Sequence, residues 1–359
     1  DISGREFFKG PSWHSAQWNH NEDLKGKTVA VIGTGCSAIQ FIPRVAEKAA
    51  STKVFQRTPN WLMPRPQYQK ELPDNLLWCF DHIPYYNNWF RLHLFWRSHE
   101  GLLPRLEVDP EWDNDGNNSV SASNHELGFM LRLYLESEFA DAPELLEKVI
   151  PNYTMGAKRF VIDDGLWAST LKRPDVDLIT NPISEITEGG LISEDGTFYE
   201  ADVIIYGTGF KASEFLTPMK IVGLGGVNLH EQWDGIAQAY LGIVSPNFPN
   251  FFFMYGPNTN IVINGSIIYF SECEAHYITR YIHYLLKTNT TALDVKEEVH
   301  NAYNVMIDSG NAKMAWGSSS VNSWYKNKSG KITQNWPFSL LEYWDQTREV
   351  NPEDFIELQ

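Results

Sequence analysis

Lys27-Thr28-Val29-Ala30-Val31-Ile32 is a short apolar run that ends at Gly33-Thr34-Gly35-Cys36-Ser37-Ala38. The run has the length and continuity of a strand buried on both faces. Small residues spaced G-x-G-x-x-A let a chain turn sharply, let a pyrophosphate approach the backbone, and let the next helix pack on the strand. The start of that helix adds amides and the positive end of its dipole. Ser37 to Ala49 carries apolar residues at helical spacing, and Pro43 inside the stripe predicts a kink or a shorter helix. Thr52-Lys53-Val54-Phe55 reads as the next strand. Strand, glycine turn, helix, strand is half of a nucleotide-binding domain, so the chain is expected to be α/β with a Rossmann-like dinucleotide site at Gly33, Thr34, Gly35, Cys36, Ser37 and Ala38. The motif alone is weak; its place between a strand and a helix gives it weight.

The end of the second strand bears on which dinucleotide binds. An NAD site usually carries Asp or Glu there for the ribose 2′-hydroxyl. Here the residues are Gln56-Arg57-Thr58. A carboxylate would repel a 2′-phosphate, whereas a guanidinium can hold it bidentately. Arg57, with Thr58 beside it, therefore points to NADP(H).

The length of 359 residues predicts more than one domain. A net charge of −16 argues against nucleic acid and against anionic membranes. An anionic cofactor must then be held by local cations and backbone amides. Cys36, Cys79 and Cys273 are far apart and form no C-x-x-C, which favours a reducing, cytoplasmic setting over a disulfide or zinc framework. No signal peptide and no run long enough to span a bilayer is apparent. The histidines show no H-x-x-x-H or H-x-H pairing, so no metal site is expected. Residue 1 is Asp, from which a removed segment or a fragment is expected.

Further along, 67–150 reads as helical, and a hairpin is expected over Gly189–Tyr199 with Glu194-Asp195-Gly196 as its turn. Ala201–Tyr206 reads as a buried strand running into Gly207-Thr208-Gly209, and Phe251–Tyr255 as a strand ending at Gly256-Pro257-Asn258. Ser266–Lys287 and Leu293–Asp308 read as helices, and the tail from Trp316 as loop packed on the body.

Phe8-Lys9-Gly10-Pro11-Ser12-Trp13-His14-Ser15-Ala16-Gln17-Trp18 has the form F-x-G-x-x-x-H-x-x-x-W. It resembles the fingerprint of Baeyer–Villiger monooxygenases. Phe55–Trp61, Gly156–Phe160, Tyr206–Phe210, Tyr255–Asn260 and Ser323–Tyr325 are similar to further segments of that family, in the same order. Gly207 stands where the family usually has Ala, and Asn19 where it has Pro or Asp. Gly156–Gly165 and Ala239–Ile243 look closest to the hydroxyacetophenone monooxygenase branch, which acts on aryl ketones.

The resemblance implies a flavoprotein with two dinucleotide-binding domains, using FAD, NADPH and O2 to insert oxygen beside a ketone through a flavin peroxide. It implies a fingerprint linker over 1–25, an NADP-binding domain over 26–66 and 151–209, a helical insertion over 67–150, and the carboxy-terminal part of the FAD and substrate domain over 210–359. It makes Arg159 the catalytic arginine, because the peroxide anion needs a fixed charge that cannot lose its proton. Lys158 would join Arg57 on the 2′-phosphate, and Trp324 would touch the nicotinamide side. Thr208 and Gly209 would form a domain junction near bound nucleotide, and Asn258 a neighbour of the flavin. The fingerprint residues Phe8, Gly10, His14 and Trp18 would couple domain movement to cofactor position. The family's amino-terminal FAD turn has no counterpart here, which makes a separate FAD-binding segment an expected partner. Two other readings stay open: a flavin monooxygenase oxidising nitrogen or sulfur, which usually ends the fingerprint with Tyr or Phe, and a non-catalytic NADP-binding remnant.

Overall fold

Thr28–Ile32 forms a strand whose last four residues are buried, as an unbroken apolar run inside a parallel sheet requires. The computed structural model describes residues 2–66, 68, 70–98, 101–113, 116–263 and 265–359. The chain forms two compact units. Asp1–Glu71, Glu126–Asn152 and Arg159–Phe210 make the first; Leu72–His125, Tyr153–Lys158 and Lys211–Gln359 make the second.

The strands of the first unit are β1 (Ser12–His14), β2 (Thr28–Ile32), β3 (Ser51–Phe55), β4 (Leu62–Pro64), β5 (Val161–Asp163), β6 (Val176–Ile179), β7 (Ile183–Thr187), β8 (Gly190–Ser193), β9 (Phe198–Glu200) and β10 (Val203–Tyr206). The helices of the chain are α1 (Cys36–Ala46), α2 (Asp74–His82), α3 (Tyr86–Ser98), α4 (Ala122–Glu138), α5 (Pro143–Val149), α6 (Leu166–Leu171), α7 (Leu229–Trp233), α8 (Ile267–Thr288), α9 (Glu297–Ala312), α10 (Ala315–Ser318) and α11 (Leu340–Thr347).

The main sheet of the first unit is parallel, in the order β1-β10-β2-β3-β6. Helix α1 connects β2 to β3 and packs Ile39, Ile42 and Val45 into a core with Val29, Val31 and Val54. Pro43 lies inside α1, which ends at Ala46, so the shorter of the two expected helices forms. Ser12–His14, within the stretch expected as a linker, adds as a strand to the sheet edge, Ser12 opposite Ile204. A hairpin turns at Asp195-Gly196, where Ser193 N donates to Thr197 O at 3.0 Å, and it extends to the antiparallel sheet β7-β8-β9.

The stretch expected as one helical insertion divides between the units. Leu135, Phe139 and Val149 are buried with the sheet strands, which places 126–152 in the first unit. Residues 72–125 belong to the second.

The second unit is built around α8, whose Phe270, Tyr277 and Tyr281 pack with Trp336 and Tyr343. Three readings change here. Phe251–Tyr255 forms no strand; Phe253 N donates to Ile243 O at 2.8 Å, and the backbone turns left-handed at Tyr255. The expected helix over Leu293–Asp308 starts at Glu297, because β11 (Ala292–Val295) pairs antiparallel with β12 (Phe355–Leu358). The tail contains α11, fixed by a capping box between Ser339 and Glu342.

Candidate active site

The turn after β2 is made by two glycines with different reasons to be glycine. Gly33 has φ +105, and a Cβ there would stand 2.5 Å from Gly207 O. A side chain is excluded by both strain and backbone contact. Gly35 has φ −66 and ψ 178, which any residue can adopt, and a Cβ there would meet nothing within 4 Å. Open space therefore lies over Gly35 at the start of α1, where no side chain caps the helix. The orphan amides of that first turn are what an anion would bind. Ala38 is buried, and a Cβ on Gly207 would stand 3.0 Å from its own Cβ, so both positions need small residues. Thr34 is buried, and its carbonyl accepts from Asn60 Nδ2. Ser37 is exposed.

Arg57 follows the end of β3 and is exposed, next to the half-buried Thr58. It makes no ion pair among the described residues, so its guanidinium is available to a ligand.

Arg159 is positioned from the other side. Phe160 behind it is buried, and β5 then runs parallel to β4, with Val161 N donating to Trp61 O at 3.0 Å. Arg159 lines a cleft of about 140 Å³ together with Cys36, Ile39, Gln40, Asp163 and Trp167. The cleft thus joins the arginine to the first turn of α1. Burial pushes the Cys36 thiol up, and the nearby Arg159 charge pulls it down. The net shift is upward, which leaves the thiol neutral at physiological pH.

The fingerprint residues lock this unit together. A Cβ on Gly10 would stand 2.4 Å from Asp202 O and 2.8 Å from the Phe8 ring, which explains the F-x-G spacing. His14 Nδ1 accepts from Ala16 N at 3.2 Å, so its Nε2 carries the proton and donates to Gly209 O at 2.9 Å. Gly209 has φ +87, and Thr208 before it is exposed. Trp18 packs edge-on against Trp13 at 5.8 Å and against Phe41 of α1 at 5.3 Å.

Three residues expected at the site belong to the second unit. Lys158 lies with its Nζ 5.1 Å from the centre of the Tyr153 ring. Trp324 is 38% exposed and rests against Tyr325, ring centres 4.7 Å apart. Asn258 is buried in the left-handed region, with its N donating to Thr333 O at 3.1 Å and its Nδ2 to Asn335 O at 3.2 Å.

Sequence reasoning missed Asn60 and Asp163. Asp163 accepts from Tyr134 Oη at 2.9 Å and from the amides of Gly165 and Trp167 at 3.2 and 3.1 Å, which fixes the chain leaving β5. An Asp just ahead of a helical stretch is a capping signal that could have shown it. No helix among the described residues is long and apolar enough to cross a membrane.

Residues 1–84 match the family described as flavin-binding monooxygenase-like. A Baeyer–Villiger monooxygenase of Streptomyces coelicolor is 32% identical over 354 residues, 98% of this chain and 64% of the relative. The FAD-binding monooxygenase ktnD of Aspergillus niger is 34% identical over 359 residues, 99% of this chain and 56% of the relative. The chain thus spans somewhat over half the length of these relatives. A steroid monooxygenase bound to NADP superposes over all of this chain and 72% of its own, with TM-score 0.78 and 25% identity. A complex of OTEMO with FAD and NADP does so with TM-score 0.78 and 26% identity.

The architecture is that of α/β flavoproteins with two dinucleotide-binding domains. Over residues 1–84 the chain matches the flavin-binding monooxygenase-like family, and over nearly its whole length it is similar to Baeyer–Villiger monooxygenases.

Proposed function

We propose that this chain provides the NADPH-binding domain and part of the FAD and substrate domain of a Baeyer–Villiger monooxygenase. The reaction is ketone, NADPH, a proton and O2 to ester or lactone, NADP⁺ and water. One observation carries the reading: the cleft that holds Arg159 also holds the first turn of α1, beside a glycine turn open to a pyrophosphate.

The residues fit a bound NADPH. Gly33 makes the turn, Gly35 leaves room, and uncapped amides face that room. Arg57, exposed and without an ion pair among the described residues, suits the 2′-phosphate. In this reading Lys158 joins Arg57 on that phosphate, Trp324 meets the nicotinamide side, and Asn258 neighbours the flavin, held in place by bonds from both its backbone N and its Nδ2. NADPH supplies a hydride, and FAD carries reducing power to O2. Arg159 holds a positive charge at every working pH and stabilises negative charge as it develops on the substrate oxygen. His14 and Trp18 keep β1, α1 and Gly209 in register, so the fingerprint acts by positioning.

The NADP-binding domain is assigned to 26–66 and 151–209, extended by 126–152, whose side chains share its core. Residues 1–25 are its linker, and 210–359 belong to the FAD and substrate domain. The FAD pyrophosphate turn is assigned to a further segment, a reading supported by the 56% and 64% coverage of the relatives. Three free thiols support a cytoplasmic location.

The test supplies FAD, NADPH, O2 and an aryl ketone to the chain joined to the further segment that carries the FAD turn. Ester one oxygen heavier than the ketone, formed as NADPH is consumed, is expected. Alcohol in place of ester contradicts the proposal. Sulfoxide from a thioether with no ester from any ketone favours the heteroatom reading, and NADPH binding without any oxygenation favours the remnant.

A further inference from the structure

Helix α8 buries one side of itself at residues 270, 274, 277 and 281, the spacing of a core-facing stripe. Three are Phe270, Tyr277 and Tyr281. The fourth is a carboxyl: Glu274 is 0% exposed. Its Oε2 accepts from Tyr255 N at 3.0 Å, and its Oε1 has no hydrogen-bond partner among the described residues. Tyr255 opens the turn Tyr255–Asn260, in which Tyr255 and Asn258 both take left-handed backbone with φ 55 and 60. Asn adopts that conformation readily, whereas a bulky residue such as Tyr255 holds it only when the surroundings enforce it. The turn is fastened inside by Thr259 Oγ1 donating to Gly256 O at 2.8 Å and by Tyr255 Oη donating to Asn260 Oδ1 at 3.0 Å. It is fastened outside by the bonds of Asn258 and Asn260 to Thr333 O, Gln334 O and Asn335.

We propose that Glu274 is a positioning residue, and that the proton on its carboxyl latches the Tyr255–Asn260 turn. The hydroxyls of Thr259 and Tyr343 adjoin the carboxyl. Each hydroxyl has one proton and already donates it, Thr259 to Gly256 O and Tyr343 to Leu241 O at 3.0 Å. A protonated Oε1 can donate to either hydroxyl oxygen and leave both carbonyls served. An ionised Oε1 can only accept, so it takes a hydroxyl proton away from Gly256 O or Leu241 O and leaves a carbonyl unserved. The proton itself passes to solvent, and no other bond changes.

The groups facing Glu274 are Tyr255 and Thr259 from the turn and Tyr343 from α11, with Cys273 beside it on α8. No cation is among them. Burial pushes the Tyr343 hydroxyl well up and the Cys273 thiol to about 11, so neither ionises near neutrality. Burial pushes Glu274 up to about 7. The consequence for the flavin, which Asn258 is taken to face, rests on the function proposed above.

The test is amide hydrogen exchange of the full chain at pH 6 and pH 8, corrected for the intrinsic rate, in wild type and Glu274→Gln. The neutral fraction of a group titrating at about 7 falls roughly tenfold over that interval. Exchange across 255–260 is expected to quicken by roughly that factor in wild type and to stay level in Glu274→Gln, with β2 and β3 unchanged in both. Equal behaviour of the two proteins, or a wild-type step shared by β2 and β3, overturns the latch; the second comparison needs no variant. FAD affinity of the chain joined to the further segment that carries the FAD turn is expected to weaken at pH 8 in wild type only. FAD binding by that joined protein at neither pH sinks the function proposed above and leaves the exchange result standing.

Discussion

Replacing Gly35 by alanine adds one methyl group where the structure shows space and the proposed cofactor needs it. The added Cβ meets no protein atom within 4 Å, and φ −66 is open to any residue. Alanine gains a few tenths of a kcal/mol from a less mobile unfolded chain and loses a similar amount as a poorer cap, so folding stability should stay within about 0.5 kcal/mol. Binding should respond differently. A phosphate oxygen must come within about 2.9 Å of the amides, and a methyl carbon holds it away. Losing one charge-assisted bond of about 1.5–3 kcal/mol weakens NADPH roughly 10- to 150-fold. Gly33→Ala is the contrast: its Cβ would press on Gly207 O at 2.5 Å from a left-handed backbone, so melting temperature and binding should fall together. Thermal melting and calorimetric titration with NADPH, run on all three proteins, separate the cases. A Gly35→Ala protein that binds NADPH as wild type does, or that melts early like Gly33→Ala, refutes the reasoning.

Arg57→Ala should weaken NADPH roughly 10- to 150-fold, a hydrogen bond to a charged group being worth about 1.5–3 kcal/mol, and should leave NADH unchanged; equal losses in a paired titration contradict phosphate recognition. Arg159→Ala should abolish ester formation while NADPH still binds, and ester yield by mass spectrometry checks it. Glu274 holds its proton from about 4.5 up to about 7 in the folded state, whereas the unfolded chain has released it. Stability should therefore fall as pH rises through that window, by at most ~3 kcal/mol, and the lost stability should not return above pH 7. A melting-temperature series in which wild type does not fall relative to Glu274→Gln over pH 5 to 8 excludes this.

What the sequence made legible was local. Strand, glycine turn, helix and strand from Thr28 to Phe55 are contiguous, and each element carries its own signal. What it hid depends on partners far along the chain. Ser12–His14 is a strand only because Ile204–Tyr206 lies beside it, and Ala292–Val295 leaves the helical pattern only because Phe355–Leu358 pairs with it. Phe251–Tyr255 has strand composition but turns left-handed at Tyr255, where Glu274 holds the amide. Glu274 sits in register with Phe270, Tyr277 and Tyr281, so its burial was readable from spacing, though its partner was not. Gly10 was legible as a fingerprint position, but its reason, the Asp202 carbonyl against it, was not.

The central claim is that this chain binds NADPH through the Gly33 turn and Arg57. Equilibrium titration of the purified chain with NADPH and with NADH tests it most directly, because it needs neither flavin nor substrate. The account predicts saturable binding of both, with NADPH tighter by roughly tenfold. Equal affinities, or no binding of either, would contradict it.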